Sequence, residues 1–103
     1  MTEKDQSVLT HLDAIEAEMK RIGFWNPEVT ELNVNHYLEA PTFELWLQCT
    51  LIPNARKAAQ TGEYPANSEV GQMAFRQYDY MSPIPEAAQL LQMLYEFDKL
   101  VMS

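Results

Sequence analysis

A small set of polar and aromatic side chains lies within one unusually apolar stretch, residues 42–61. Glu44 and Gln48 are four residues apart, so a helix would place both on one side, with Trp46 between them in sequence. A carboxylate and an amide beside an indole can line a small-ligand pocket, and Pro53 would end that pocket by disturbing the helix. The structural alternative is that Glu44 is solvated and that Gln48 bonds to main-chain groups in the core.

Nucleophilic and metal-binding chemistry find little support in the sequence. Cys49 lies among apolar residues with no neighbouring base, so we expect it to be a core residue and not a nucleophile. It is the single cysteine of the chain, which excludes an internal disulfide. His11 and His36 are the two histidines, and Glu39, three residues after His36, makes only a weak metal motif. We therefore expect no catalytic residue, no metal site and no cofactor.

Aromatic residues are the candidates for an interface, because exposed aromatic anchors carry much of the binding energy in protein complexes. The alternative is that they fill the core, where each ring buries a large apolar area. The aromatic candidates are Trp25, Tyr37, Trp46, Tyr78 and Tyr80.

The charge balance limits the classes of partner. The 103 residues include 15 acids and 7 bases, which gives a formal net charge of −8. Binding to nucleic acid or to an anionic membrane depends on clustered Lys and Arg, so we expect neither. From Ile22 to Ala55 the chain has no Lys or Arg, which favours either a basic partner surface or a solvated acidic face.

Length and hydropathy favour a cytoplasmic protein with a single domain over residues 1–103. The apolar fraction of 47% is typical of a globular chain. The polar start and the lack of a long apolar run predict neither a signal peptide nor a membrane span.

Apolar residues recur at helical spacing in the first and second segments. Residues 3–22 predict a helix that Thr2 or Asp5 caps and Gly23 ends. Residues 42–61 predict a second helix whose first half, Phe43–Ile52, is apolar around its whole circumference and is therefore expected to be buried on all sides, while its second half, Asn54–Gln60, is amphipathic. Pro53 should kink this helix or split it in two.

The rest of the chain completes an all-α pattern. A third helix is predicted from a cap at Asn67 or Ser68 to about Met81, and a fourth over residues 85–102. The long connection over residues 24–41 is apolar enough to pack partly on the core. The sequence therefore predicts a four-helix bundle whose central second helix is kinked by proline.

The second helix also carries a family resemblance. The run FELWLQCTLIP from Phe43 to Pro53 resembles the F-E-x-W-L-Q-x-x-x-I-P signature of the YqcC-like family, small proteobacterial proteins of unknown function. Looser similarity involves the following residues: Trp25, Tyr37, Pro65, Ser68, Phe97, Asp98 and Leu100. The resemblance implies a helical-bundle domain, often encoded beside a tRNA pseudouridine synthase. The chain departs from the usual pattern at Cys49, Asn54 and residues 71–76.

Two functions remain open at this point. The first is a non-enzymatic interaction module, in which the second helix and residues 24–41 form a groove for a protein partner or for a second copy of the chain. The alternative is a small-ligand or weakly enzymatic pocket around Glu44, Trp46 and Gln48. The candidate binding residues are Trp25, Tyr37, Glu44, Trp46, Gln48, Pro53 and Tyr78.

Overall fold

All regular structure in the described part of the chain is helical, which confirms the predicted all-α fold. The computed structural model describes residues 2–29, 42–80 and 84–103. The first helix is Glu3–Arg21, and the second consists of Phe43–Trp46, a π-helical turn at Leu47–Leu51 and Ile52–Thr61. The third helix consists of Val70–Phe75 and a π-helical turn at Arg76–Tyr80. The fourth helix begins as a 3₁₀ turn at Pro85–Ala87 and continues as Ala88–Met102. The first helix packs against the fourth and against the second half of the second, and the third packs on the fourth.

The first helix has a specific capping arrangement at each end. Thr2 and Asp5 form a capping box, in which each side chain accepts a hydrogen bond from the other residue's backbone N–H. At the other end Gly23 adopts a φ of 80°, and the Phe24 N–H donates to the Met19 carbonyl at 2.7 Å. This arrangement is a Schellman motif, and it turns the chain sharply after the helix.

Pro53 disturbs the second helix without dividing it. A π-helical turn, Leu47–Leu51, lies just before the proline, and the Ile52 N–H donates to the Leu47 carbonyl five residues back. The backbone stays right-handed and helical at both ends of this turn. The wider turn accommodates a position where the proline offers no N–H to the preceding carbonyls.

The second helix is less enclosed than its composition predicts. Its buried residues include Phe43, Leu47, Gln48, Ile52, Ala55 and Ala59. Its partly exposed apolar residues are Leu45, Trp46, Cys49, Leu51 and Ala58. The expectation of burial on all sides was wrong for Leu45, Trp46, Cys49 and Leu51, because the neighbouring helices in so small a bundle do not surround this half of the second helix in the described structure.

The third helix begins later than predicted, at Val70 rather than after a cap at Asn67 or Ser68. Its cap comes from another helix. The buried carboxylate of Asp98 accepts hydrogen bonds from the N–H of Val70 at 3.0 Å, from the N–H of Gly71 at 2.7 Å and from the Ser68 hydroxyl. The fourth helix thereby fixes where the third one starts.

The core lies where the apolar stripes of the first and fourth helices meet the inward faces of the second and third. Its largest fully buried side chains are Val8, Leu12, Ile15, Met19, Leu47, Ile52, Leu90 and Leu94. Among the described residues no helix combines the length and apolar character that crossing a bilayer requires. The predicted connection over residues 24–41 is described only as far as residue 29.

Candidate functional site

Gln48 is buried and joins the second helix to the segment that follows the first. Its side-chain oxygen accepts from the Asn26 N–H at 2.8 Å, and its amide nitrogen donates to the carbonyls of Asn26 and Val29 at 2.6 and 2.7 Å. Both amide hydrogens are therefore used, and only one lone pair of the oxygen is left. This is the structural role that the sequence left open for Gln48.

The segment held by Gln48 forms a tight turn. The Asn26 side chain accepts from the Glu28 N–H at 3.0 Å, and the Val29 N–H donates to the Asn26 carbonyl. Trp25 lies just before this turn, half-buried, with the Lys20 ammonium 5.2 Å from the centre of its ring. The indole therefore already supports a cation–π contact within the chain.

Glu44 and Trp46 line two different hollows. Residues two apart on a helix differ by about 200° in direction, so their side chains point away from each other. The structure thus does not bring Glu44, Trp46 and Gln48 together around one ligand site.

The hollow beside Trp46 is an apolar pocket of about 160 Å³ between the second helix, the loop after it and the end of the fourth helix. Its lining residues are Trp46, Thr50, Leu51, Asn54, Ala55, Ala58, Tyr64, Pro65, Ser68, Phe97 and Val101. The volume is about half of the roughly 300 Å³ at which ordinary small-molecule sites begin. It is close to that of the ~150 Å³ apolar cavities that hold benzene.

Tyr64 is the titratable side chain in the lining of this pocket. Its hydroxyl donates to the Asp5 carboxylate at 2.6 Å, and the Lys4 ammonium lies 4.5 Å from the centre of its ring. Burial and the bond to Asp5 raise the pKa of Tyr64 to about 12. The hydroxyl is therefore protonated at neutral pH and occupied by an internal partner.

The hollow that contains Glu44 is a wider and more open groove of about 530 Å³. We call it the acidic groove; its lining residues are Gly23, Phe24, Trp25, Asn26, Pro27, Thr42, Glu44 and Leu45. The groove therefore contains two of the predicted site residues, Trp25 and Glu44.

Tyr78 is buried against Phe24, one of the residues that line the acidic groove, and 4% of its surface is exposed. Its ring packs on Phe24 and Phe43, with centroid distances of 5.3 and 5.7 Å. Burial raises the pKa of Tyr78, and the nearby Glu44 carboxylate raises it further. Although Glu44 is close enough for this effect, no described residue lies within hydrogen-bonding geometry of the buried Tyr78 hydroxyl.

The remaining candidates have other positions. Pro53 is exposed at the start of the second half of its helix, and Tyr37 lies outside the described residues.

Burial raises the pKa of the Cys49 thiol, which is the opposite of what a nucleophile needs. The His11 Nε2 lies 2.6 Å from the Met93 carbonyl, which ties the first helix to the fourth. No group of side chains in the described ranges has the composition of a metal site.

Sequence reasoning did not identify the contact between Ser68 and Asp98. The only available signal was indirect, since both residues belong to the looser part of the family resemblance. Asp98 caps the third helix through the N–H groups of Val70 and Gly71, and Ser68 donates to the same carboxylate, so these two matching residues have an evident structural role.

Several cations of the chain are used in internal contacts. Lys20 pairs with Glu16 at 2.9 Å, Arg21 with Glu18 at 2.5 Å, and Arg56 contacts both Asp13 and Glu16. The Lys4 ammonium donates to the carbonyls of Val101 and Ser103, each at 2.9 Å. The pairs of Lys20 and Arg21 lie within the first helix, whereas the contacts of Arg56 and Lys4 connect different helices. Together they leave fewer cations for an external partner.

These features define a small all-α domain with an apolar pocket and an acidic groove beside its second helix. The chain belongs to the DUF446 family, whose model carries the description tRNA pseudouridine synthase C and matches residues 7–100. No curated protein and no solved structure shows a detectable match to the chain.

Proposed function

We propose that this protein is a non-enzymatic accessory module that binds a tRNA pseudouridine synthase in the cytoplasm. The family description names that enzyme, and the chain resembles YqcC-like proteins, which often occur beside its gene. The proposal assigns the modification chemistry to the partner and a binding role to this chain.

The observation that carries the proposal is the charge distribution. An enzyme that holds tRNA needs a basic surface, because the phosphate backbone dominates affinity for nucleic acid. This chain carries a net charge of −8, and several of its cations are engaged within the fold. It is therefore poorly suited to hold tRNA itself but complementary to a basic protein surface.

Size-exclusion chromatography with light scattering tests this function. The protein is analysed alone, with purified tRNA pseudouridine synthase from the same cells, and with tRNA. We expect a defined complex with the enzyme, roughly tenfold weaker at high salt than at low salt because screening reduces attraction between charged surfaces. Binding to tRNA instead of the enzyme, or no complex at low salt, would contradict the proposal.

A second candidate function rests on the pocket beside Trp46. Its apolar walls and volume of about 160 Å³ favour a single small apolar group. To test this function, indole is titrated into the protein and the melting temperature is measured by thermal shift. Ala58→Leu fills the pocket, and Gln60→Leu, at an exposed position, is the matched control. Indole should stabilise the native protein and the control, but not Ala58→Leu. Equal stabilisation of all three proteins would place indole elsewhere.

A further inference from the structure

Among the described residues that line the acidic groove, Glu44 is the only charged side chain. The groove is formed where the turn after the first helix meets the start of the second. The nearby cations Lys20 and Arg21 are paired with Glu16 and Glu18. Within the described lining, the Glu44 carboxylate therefore has no basic residue to neutralise it.

The buried Tyr78 hydroxyl is an independent observation at the same place. It has no hydrogen-bond partner among the described residues, and Glu44 is the carboxylate that acts on it electrostatically. A carboxylate has two oxygens and can accept several hydrogen bonds at once. One oxygen of Glu44 can therefore turn to the Tyr78 hydroxyl while the other holds a cation in the groove, and this would satisfy both side chains.

The walls of the groove indicate which cation fits. Phe24 and Trp25 supply aromatic surface, and Trp25 already lies against the Lys20 ammonium at 5.2 Å. A guanidinium is planar, stacks on aromatic rings and donates two parallel hydrogen bonds to a carboxylate. An ammonium makes a less directional contact and is more strongly hydrated.

We infer that the acidic groove binds an arginine side chain presented by a basic protein partner. Glu44 is the counter-ion, Phe24 and Trp25 provide the stacking surface, and the Tyr78 hydroxyl orients the carboxylate. The class of partner rests on the proposed function; the preference for a guanidinium rests on the groove.

The test uses N-acetyl-arginine amide as the probe and ¹⁵N NMR of the full chain as the readout. In the native protein we expect saturable shifts of the Trp25 indole N–H and of the amides of residues 23–27 and 42–45. Glu44→Gln should weaken binding at least fivefold. Glu28→Gln removes the same charge from an exposed position outside the groove lining and should change affinity less than twofold.

Two further measurements separate the roles of the groove residues. Tyr78→Phe keeps the ring but removes the hydroxyl. The melting temperature should therefore stay unchanged, while the affinity for the arginine probe falls about twofold. N-acetyl-lysine amide should bind more weakly than the arginine probe. The inference is overturned if no saturable shift occurs in the groove, if Glu44→Gln and Glu28→Gln behave alike, or if the lysine probe binds as tightly.

The failure of this inference and that of the proposed function give different results. If the synthase binds native protein and Glu44→Gln equally well and the probe leaves the groove unchanged, the arginine site is wrong while the accessory function holds. If the probe binds through Glu44 but no complex with the synthase forms, the site holds and the assigned partner is wrong.

Discussion

At the scale of single residues, Gln48 shows how a polar group in an apolar helix can have a structural purpose. Its buried amide makes three hydrogen bonds to main-chain groups of Asn26 and Val29. Such groups are satisfied by the protein itself in most folds, because an unpaired buried amide is costly. The bonds hold the turn that forms one wall of the acidic groove, so Gln48 positions the groove without lining it.

Replacement of Gln48 should therefore reduce stability. Gln48→Ala leaves main-chain groups of Asn26 and Val29 without their partner, and we expect the free energy of unfolding to fall by about 1–3 kcal/mol. Gln48→Glu should be worse than Gln48→Ala at pH 7, because a carboxylate cannot donate to the two carbonyls. Urea denaturation measures both changes.

Gln89, which is exposed on the fourth helix, offers a matched control. Gln89→Ala and Gln89→Glu should each stay within about 0.5 kcal/mol of the native protein. If the Gln48 variants were no less stable than these controls, the three hydrogen bonds would not support the fold.

At the scale of elements, the fourth helix determines where the third helix starts and how closely the two helices approach each other. Asp98 caps its first turn. Gly71 lies so close to the fourth helix that a Cβ there would be 2.6 Å from the Tyr95 ring and 2.9 Å from the Tyr95 Cα. The packing of these two helices therefore depends on Asp98 in the fourth helix and on Gly71 in the third.

Gly71→Ala should separate these two helices. Alanine favours a helix over glycine by roughly 1 kcal/mol, but the clash includes backbone that cannot move aside cheaply. We expect a net loss of about 1–2 kcal/mol in the free energy of unfolding, since overpacking typically costs ~1–3 kcal/mol. Thermal or urea unfolding checks the value.

The adjacent residue Gln72 is exposed, so Gln72→Ala serves as the control and should be close to neutral. Tyr95→Ala combined with Gly71→Ala should recover only part of the loss, because the contact with the Cα of residue 95 persists. Full recovery would mean that only the side chain of Tyr95 keeps an alanine out.

At the scale of the whole molecule, titratable side chains that are paired within the fold set its response to pH. The Tyr64 hydroxyl is the main cause that lowers the pKa of Asp5 below its ordinary 3.8. Lys20 lowers the pKa of Glu16, with a further contribution from Arg56, and Arg21 lowers that of Glu18, from ordinary values of 4.5. In the opposite direction, burial and the Asp5 bond raise the pKa of Tyr64 to about 12.

These shifts predict a loss of stability at both extremes of pH. A carboxyl group whose pKa is lowered by folding stabilises the protein above its unfolded pKa, and this contribution is lost as the pH falls from 4.5 through the folded values. Tyr64 stabilises the protein fully below its unfolded pKa of 10.0, and this contribution is lost as the pH rises towards 12.

Tyr64→Phe removes the shared hydrogen bond and should make the stability curve flatter in both the acid and the alkaline range. The alkaline loss should not vanish, because the pKa of Tyr78 is raised as well. Tyr95→Phe changes an exposed tyrosine and should leave both ranges as they are. Urea denaturation from pH 2 to 12 measures the curves, and an unchanged acid range in Tyr64→Phe would argue against the bond to Asp5.

The sequence by itself predicted the all-α class, a cap of the first helix at Thr2 or Asp5 and its end at Gly23, because caps and apolar spacing are local signals. It also predicted that Pro53 would disturb the second helix, since a missing N–H acts on the nearest turns. Only the tertiary structure decided that Asp98 caps the third helix, that Gln48 bonds to a turn before its own helix, and that Glu44 and Trp46 line different hollows. These outcomes depend on how distant segments pack, and spacing along the chain does not encode which neighbour a side chain meets.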